Sequence, residues 1–350
     1  MDEGLQIPKR ETKELKKDVK KVVVKAKLSD EEVEAKKGSY FTEKDLDKVY
    51  DEDVDVYIEN NGKEELLAKF RKNVIPKDII QVGWEAFYET AVASRTRGAA
   101  AGPIDVKSRY WKKRKPIETK GWSTRYINKG KRTATRVNNN VFSSILGYFE
   151  SSPIFRKNPC RLTNYTRRFF DNYKKGIPFI QELDKCFKAL TPTEYKLQLE
   201  RAKKNPYYRI DDTAFSSITI NRNFRTGLHM DDGDFRGGFG NLSVIQRGHY
   251  DGGYTMFPQY KIGFDVRTGD FLAMNVHMYH CNTEITETPA QKKYNESLPK
   301  IHFNDASTGT LGSDKNYTRI SFVCYLREKL LHCKKSETLK YYKKIKFDGR

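Results

Sequence analysis

Tyr317-Thr-Arg-Ile-Ser-Phe-Val-Cys-Tyr-Leu-Arg327 is a β-favouring run that carries one early cation, Arg319. The apolar neighbours Ile320, Phe322 and Val323 argue that this strand is buried, which takes the guanidinium inward with it. Six more short runs precede it: Phe215–Ile220, Leu242–Gln246, Tyr254–Phe257, Ile262–Val266, Phe271–Val276 and Ile301–Phe303. Gly-rich turns separate them, at DDGDFRGGFG, RGHYDGG and RTGD. Seven short strands with turns between them predict a β-sandwich or jelly roll from about residue 214 to 328.

Working upstream, Phe70-Arg-Lys-Asn-Val-Ile-Pro76 leads into IIQVGWEAFYETAVASR, whose apolar spacing predicts an amphipathic helix opened by Pro76. A Gly/Ala segment, Arg97-Gly-Ala-Ala-Ala-Gly-Pro103, reads as a loop able to sit over a ligand. Phe142–Phe149 and Ile177–Leu190 read as helices or mixed structure packed on the strands. Together these give an α+β chain with N-terminal helices packed on a β core. Residues 1–65 are dominated by charge and read as a poorly ordered extension; 66–333 form the folded domain, and 334–350 a basic tail.

The 350 residues carry a net charge of +20, with 37% hydrophobic and 13% aromatic residues. That is enough apolar material for a core and excludes a disordered protein. Twelve basic residues lie between Lys107 and Arg136 against one acid, Glu118. Among them Lys112, Lys113, Arg114, Arg125, Lys131 and Arg132 are interleaved with Tyr110, Trp111, Trp122 and Tyr126. Cations among rings that can stack on bases predict a nucleic-acid surface, although such a run can also be a merely solvated face. Five scattered cysteines without a Cys-x-x-Cys pair suggest neither a disulfide framework nor a zinc knuckle, and hence a reducing, intracellular setting. No signal peptide or membrane-spanning stretch is expected.

Chemistry concentrates on six histidines. His229 and Asp231 lie two apart after a strand-like SSITINRN, so on extended backbone both point to one face. Alone the signal is weak, since roughly one His-x-acid is expected by chance at this composition. The order that follows strengthens it: Gly252–Thr255, Pro258, Arg267-Thr-Gly-Asp270, an apolar strand, His280, then Arg319. Two histidines and a carboxylate on one face of an iron ion leave positions for a bidentate 2-oxo acid and O₂. An arginine can hold a carboxylate in bidentate fashion. His277 competes with His280, because in an alternating strand the two point to opposite faces.

The set His229-Met-Asp231, Gly269-Asp270, His280 and Arg319-Ile-Ser-Phe-Val-Cys-Tyr325 resembles the double-stranded β-helix oxygenases, and within them the TET/JBP group, which hydroxylates the 5-methyl of 5-methylcytosine or thymine in DNA. Asn73-Val-Ile-Pro-Lys-Asp78, the Arg97 loop and Ile145-Leu-Gly-Tyr-Phe149 are similar to family features too, over roughly residues 70–330. The resemblance implies Fe(II) held by His229, Asp231 and His280, and 2-oxoglutarate bound by Arg319 with Ser321. It favours His280 over His277. It puts Asp234, Tyr325 and Arg327 beside the target base, where relatives often have histidine at the last of these positions. It further implies a monomer working on DNA, or RNA, in a nuclear or otherwise DNA-associated setting, and no membrane. Residues 281–318 look like an insertion, with a substrate loop as one role. Competing readings are an oxygenase acting on protein or alkylated bases, and a non-catalytic nucleic-acid-binding module. Thymine and 5-methylcytosine stay open.

Overall fold

In the computed structural model of the chain, residues 2–16, 18–60, 62–151, 158–301, 303 and 316–348 are described. Ten strands form the main sheet. Its order is Lys21–Val24, Val54–Asn60, Lys63–Arg71, Phe271–Met274, Gly240–Arg247, Thr318–Tyr325, Ser217–Arg222, Val141–Phe149 and Arg161–Leu162, with Ala93–Ser94 branching from Val141–Phe149. All pairs are antiparallel except the first. A smaller sheet runs Cys281–Asn282, Thr255–Phe257, Ile262–Phe264 and Lys48–Tyr50.

Alternation along Thr318–Tyr325 sorts its side chains. Ile320, Phe322 and Cys324 face the helices Lys77–Phe87 and Ile177–Leu190 in one core, with Trp84, Phe87, Phe179, Leu183 and Phe187. Phe179 and Phe322 meet edge to face at 4.8 Å. The other face of the main sheet packs on the smaller one: Val54, Val56, Phe70, Leu242, Val244 and Leu272 share a second core with Phe257, Ile262 and Phe264. The layers are therefore helices, large sheet, small sheet. This is an α+β architecture whose far side opens into a cavity between the sheets.

Several expectations change. Residues 21–65 are not an unstructured extension: they supply an edge of both sheets. Val54, Val56 and Ile58 are buried although acids and polar residues stand between them. Summed charge hid a two-residue apolar phase. Phe142–Phe149 lies in a nine-residue strand, whereas Ile177–Leu190 is helical. The basic tail holds a helix, Lys335–Lys344, whose Tyr342 accepts a 2.7 Å hydrogen bond from the Leu162 backbone N–H. That packing joins Cys160 to Cys333 as a disulfide across 173 residues, a pairing invisible to local cysteine spacing. Within 281–318, Pro289–Ser297 is a helix whose Asn295 bonds His249. Ile301 and Phe303 are outside any strand; His302 and 304–315 lie outside the described residues. No helix among the described residues is long and apolar enough to cross a membrane.

Removing residues 1–65 should therefore unfold the protein rather than trim it. Tyr50, Val54, Val56 and Ile58 are all buried, and each fully buried side chain of this size stabilises by about 1.5–3 kcal/mol. Their sum rivals a typical net stability of about 5–15 kcal/mol. Loss of soluble expression and of a cooperative thermal transition is expected; a soluble 66–348 fragment that melts cooperatively would contradict this packing.

Candidate active site

The site is built on one pair of backbone hydrogen bonds. His229 N–H donates to His280 O at 3.0 Å, and His280 N–H returns to His229 O at 2.9 Å. This bridge brings together two imidazoles 51 positions apart in the chain, with ring centroids 4.4 Å apart. Asp231 completes the group: its Oδ1 lies 3.9 Å from His229 Nε2 and its Oδ2 3.8 Å from His280 Nε2. One ligand atom from each of the three falls within 4.8 Å of the others, the spread that a divalent ion about 2.0–2.2 Å from each would draw in. Each ring donates Nδ1–H to a main-chain carbonyl, Gly227 O at 2.8 Å and Met278 O at 2.9 Å. This fixes both tautomers with the Nε2 lone pair turned toward Asp231.

Electrostatics keep His229 and Asp231 ready for metal. Burial, then the charge of His280, push His229 down to about 4. Asp231 is held below the usual carboxylate range against the opposing effect of burial, by His229, His280, Arg97 and Arg327. At neutral pH this leaves neutral imidazole and ionised carboxylate, the ligating forms. His277 is not in the group; its Nε2 meets Phe235 O at 3.3 Å.

A cavity of about 410 Å³ surrounds the triad. At its buried end lies Arg319, only 2% exposed, opposite Gln246 on the neighbouring strand. Its Nε and Nη2 are buried and have no hydrogen-bond partner among the described residues. A buried guanidinium with unmade hydrogen bonds is costly, and an entering carboxylate would satisfy it. Ser321, on the same face, borders the cavity and accepts a 3.4 Å contact from Asn221 Nδ2. The residues present therefore fit a metal ion and a 2-oxo diacid side by side.

The remaining predicted positions line the same cavity in different states. Tyr325 shares a 3.0 Å hydroxyl contact with Thr219, and burial pushes its phenol up. Arg327 is not free: Glu150 grips it with two contacts, one of them Nε to Oε2 at 3.0 Å, and Asp234 Oδ1 lies 3.4 Å from Nη1. Asp234 Oδ2 is buried with no hydrogen-bond partner among the described residues. Burial, then Asp231, raise the Asp234 carboxyl well above its ordinary value, against the pull of Arg327. Sequence reading missed Glu150; a lone acid at the exit of the Val141–Phe149 strand was the available signal. It also missed Asn221, a buried polar residue beside Ile220 on the Ser217–Arg222 strand, which receives the Ser143 hydroxyl at 2.6 Å.

The basic segment forms a small three-stranded sheet, Pro116–Lys120, Ser123–Asn128 and Lys131–Arg132. Lys112, Lys113 and Lys131 are exposed. Arg125 and Arg132 gather on Glu118 at 3.8 and 2.9 Å, and Arg114 stacks on Tyr110 at 3.7 Å. Trp111 cannot stack on a base: it is 2% exposed and donates to Asn139 at 2.7 Å. Trp122 instead borders the cavity.

A family model for the Tet_JBP oxygenase domain of the 2OGFeDO superfamily matches residues 144–328. Among curated relatives, the bifunctional helicase and thymine dioxygenase JBP2 of Leishmania infantum is 34% identical over 189 residues, covering 54% of this chain and 15% of that protein. The JBP2 of Trypanosoma brucei brucei is 32% identical over 298 residues, 83% of this chain and 21% of that one. The chain thus spans about a fifth or less of these relatives' length. A solved structure of NgTET1 in complex with 5mC DNA aligns with 87% of this chain and 88% of that chain, at 12% identity and a TM-score of 0.45. The superfamily uses Fe(II) and 2-oxoglutarate, and the matched span takes in the triad, Arg319 and Ser321. With more than half of its length matched, the chain belongs to the TET/JBP oxygenase-domain family.

Proposed function

We propose that the chain is an Fe(II)- and 2-oxoglutarate-dependent dioxygenase that hydroxylates the 5-methyl group of a pyrimidine in DNA, thymine foremost, on a double-stranded β-helix core. The observation that carries it is one cavity containing both a His-Asp-His set and a buried guanidinium with unmade hydrogen bonds. Thymine is favoured because the JBP2 relatives are thymine dioxygenases.

His229, Asp231 and His280 would hold the iron, which with 2-oxoglutarate and O₂ supplies the oxidant for a methyl C–H while succinate and CO₂ leave. Arg319 would take the distal carboxylate, with Ser321 beside it, and so orient the co-substrate. The walls around the triad are largely buried, so a base can reach it only by leaving its stack, at a cost of a few kcal/mol. Asp234, Tyr325 and Arg327 would border that base. Glu150 would neutralise Arg327 and hold it in place. Lys112 and Lys113, on the short helical turn before the basic sheet, and Lys131 on the sheet would bind phosphates and offset the cost of eversion. A DNA substrate implies that the protein acts in a DNA-containing compartment.

Incubation with thymine- and 5-methylcytosine-containing duplexes, followed by nucleoside mass spectrometry, should yield 5-hydroxymethyluracil in preference to 5-hydroxymethylcytosine. Oxidation of neither base sinks the proposal. Asp231→Ala should lose metal uptake and turnover while DNA affinity stays within about twofold. Glu150→Gln leaves the partly buried Arg327 with one weaker partner. Breaking a buried pair costs roughly 3–5 kcal/mol, and the lower end is expected here, read as a fall in thermal midpoint that Arg327→Met in the same chain reverses. Neutralising Lys112, Lys113 and Lys131 together should flatten the dependence of log affinity on log salt by about 0.9 per lost contact; an unchanged slope removes the basic sheet from the DNA interface.

A further inference from the structure

The cavity is bordered by a further cation, besides Arg319 and Arg327, that none of the roles above uses. Arg97 borders it on the side of the triad, and its charge reaches both Asp231 and His229. Its Nε is buried without a hydrogen-bond partner, and the guanidinium makes no ion pair among the described residues. The segment that carries it is fixed. Gly98 N–H donates to Asn138 Oδ1 at 2.8 Å, and Ala100 O accepts from Gly227 N–H at 2.9 Å. Gly227 is the residue whose carbonyl sets the His229 tautomer.

A matching cation approaches from the N-terminal segment. Lys37 also borders the cavity, half-exposed, with Nζ 5.9 Å from the Tyr279 ring and no ion pair among the described residues. Two hydrogen bonds of 2.8 Å, Gly38 N–H to Leu228 O and Leu228 N–H to Ser39 O, seat this segment beside the metal strand. Gly38 has φ of +79°, and a Cβ there would come within 2.3 Å of Trp122, so the indole lies directly on its backbone. Lys37, Thr96, Arg97, Gly98, Trp122 and Asp232 are among the exposed or half-exposed residues of the lining, whereas Arg319, Ser321 and Tyr325 are buried. The first group therefore forms the mouth and the second the floor. Asp232 is the acid on that rim, and it pairs with neither cation among the described residues.

An unpartnered guanidinium beside a cavity calls for an oxyanion. Two sources exist: a carboxylate of 2-oxoglutarate or a phosphodiester of the nucleic acid. Arg319 already suits the distal carboxylate on the floor, the other end of the diacid belongs with the metal, and two cations on neighbouring segments, both packed against Gly227, suit a single backbone passing over them. We propose that Arg97 and Lys37 form a phosphate clamp that grips the backbone of the nucleotide whose base enters the cavity. This rests on the nucleic-acid reading given above and adds a site to it.

The test uses the full chain loaded with iron and 2-oxoglutarate without O₂, and a duplex oligonucleotide carrying one thymine mismatch, which lowers the cost of eversion. Arg97→Gln and Lys37→Gln should each weaken binding by about 5–10-fold and reduce the salt slope by about 1, with additive slopes in the double variant. Arg97→Lys should keep the slope, and thermal melts should match the parent. The dissociation constant for 2-oxoglutarate, titrated without DNA, should not move. Unchanged DNA affinity and slope in the double variant overturn the clamp, and so does a weakened 2-oxoglutarate affinity with DNA binding intact, which would assign Arg97 to the co-substrate. Admitting O₂ to the parent sample separates the two levels: absent oxidised nucleoside is a failure of the functional reading, an unchanged slope a failure of the clamp alone.

Discussion

The two-residue period of the central Thr318–Tyr325 strand is the constraint on which the remainder depends. One face sends Ile320, Phe322 and Cys324 into the helical core; the other lines Arg319, Ser321, Val323 and Tyr325 along the cavity. A slip of one residue would put a guanidinium among phenylalanines and phenylalanines among the polar groups of the site, so core and site enforce each other's register. Neighbouring strands obey the same phase, with Asn221 opposite Ser321 and Gln246 opposite Arg319.

Within that frame the site is a sequence of unsatisfied charges. Among the described residues, Arg319 retains buried N–H groups without acceptors, Asp234 a buried oxygen without a donor, and Arg97 a buried Nε–H without an acceptor. A folded chain retains such groups when a ligand completes them or when packing elsewhere outweighs their cost. Arg327 shows the opposite solution. It is neutralised internally by Glu150 and Asp234, which leaves it a fixed wall of the cavity.

The segments least like a folded domain in composition prove structural. Residues 21–60 extend both sheets, and Gly38 and Ser39 pair with Leu228 beside the metal strand, which brings Lys37 to the cavity. The basic sheet at 116–132 is anchored through the buried Trp111 below it and the Trp122–Gly38 contact at the cavity mouth. Charge and order coexist because the apolar residues, although few, fall on one phase.

Local sequence was sufficient for what local chemistry and period determine. His229 and Asp231 share a face because i and i+2 always do on extended backbone, and Arg319 reads as inward because its strand is apolar on both sides. Six of the seven predicted β runs overlap strands. The resemblance already favoured His280 over His277, and tertiary structure supplies the reason: the His280 backbone pairs with His229 across distant segments. Tertiary structure alone decided the rest. Glu150 meets Arg327, Cys160 meets Cys333, and Trp111 is withdrawn from the surface for the same reason: each outcome depends on which element packs against which. Periodicity tells a side chain which way to face, and only the assembled sheets and helices tell it what it will find there.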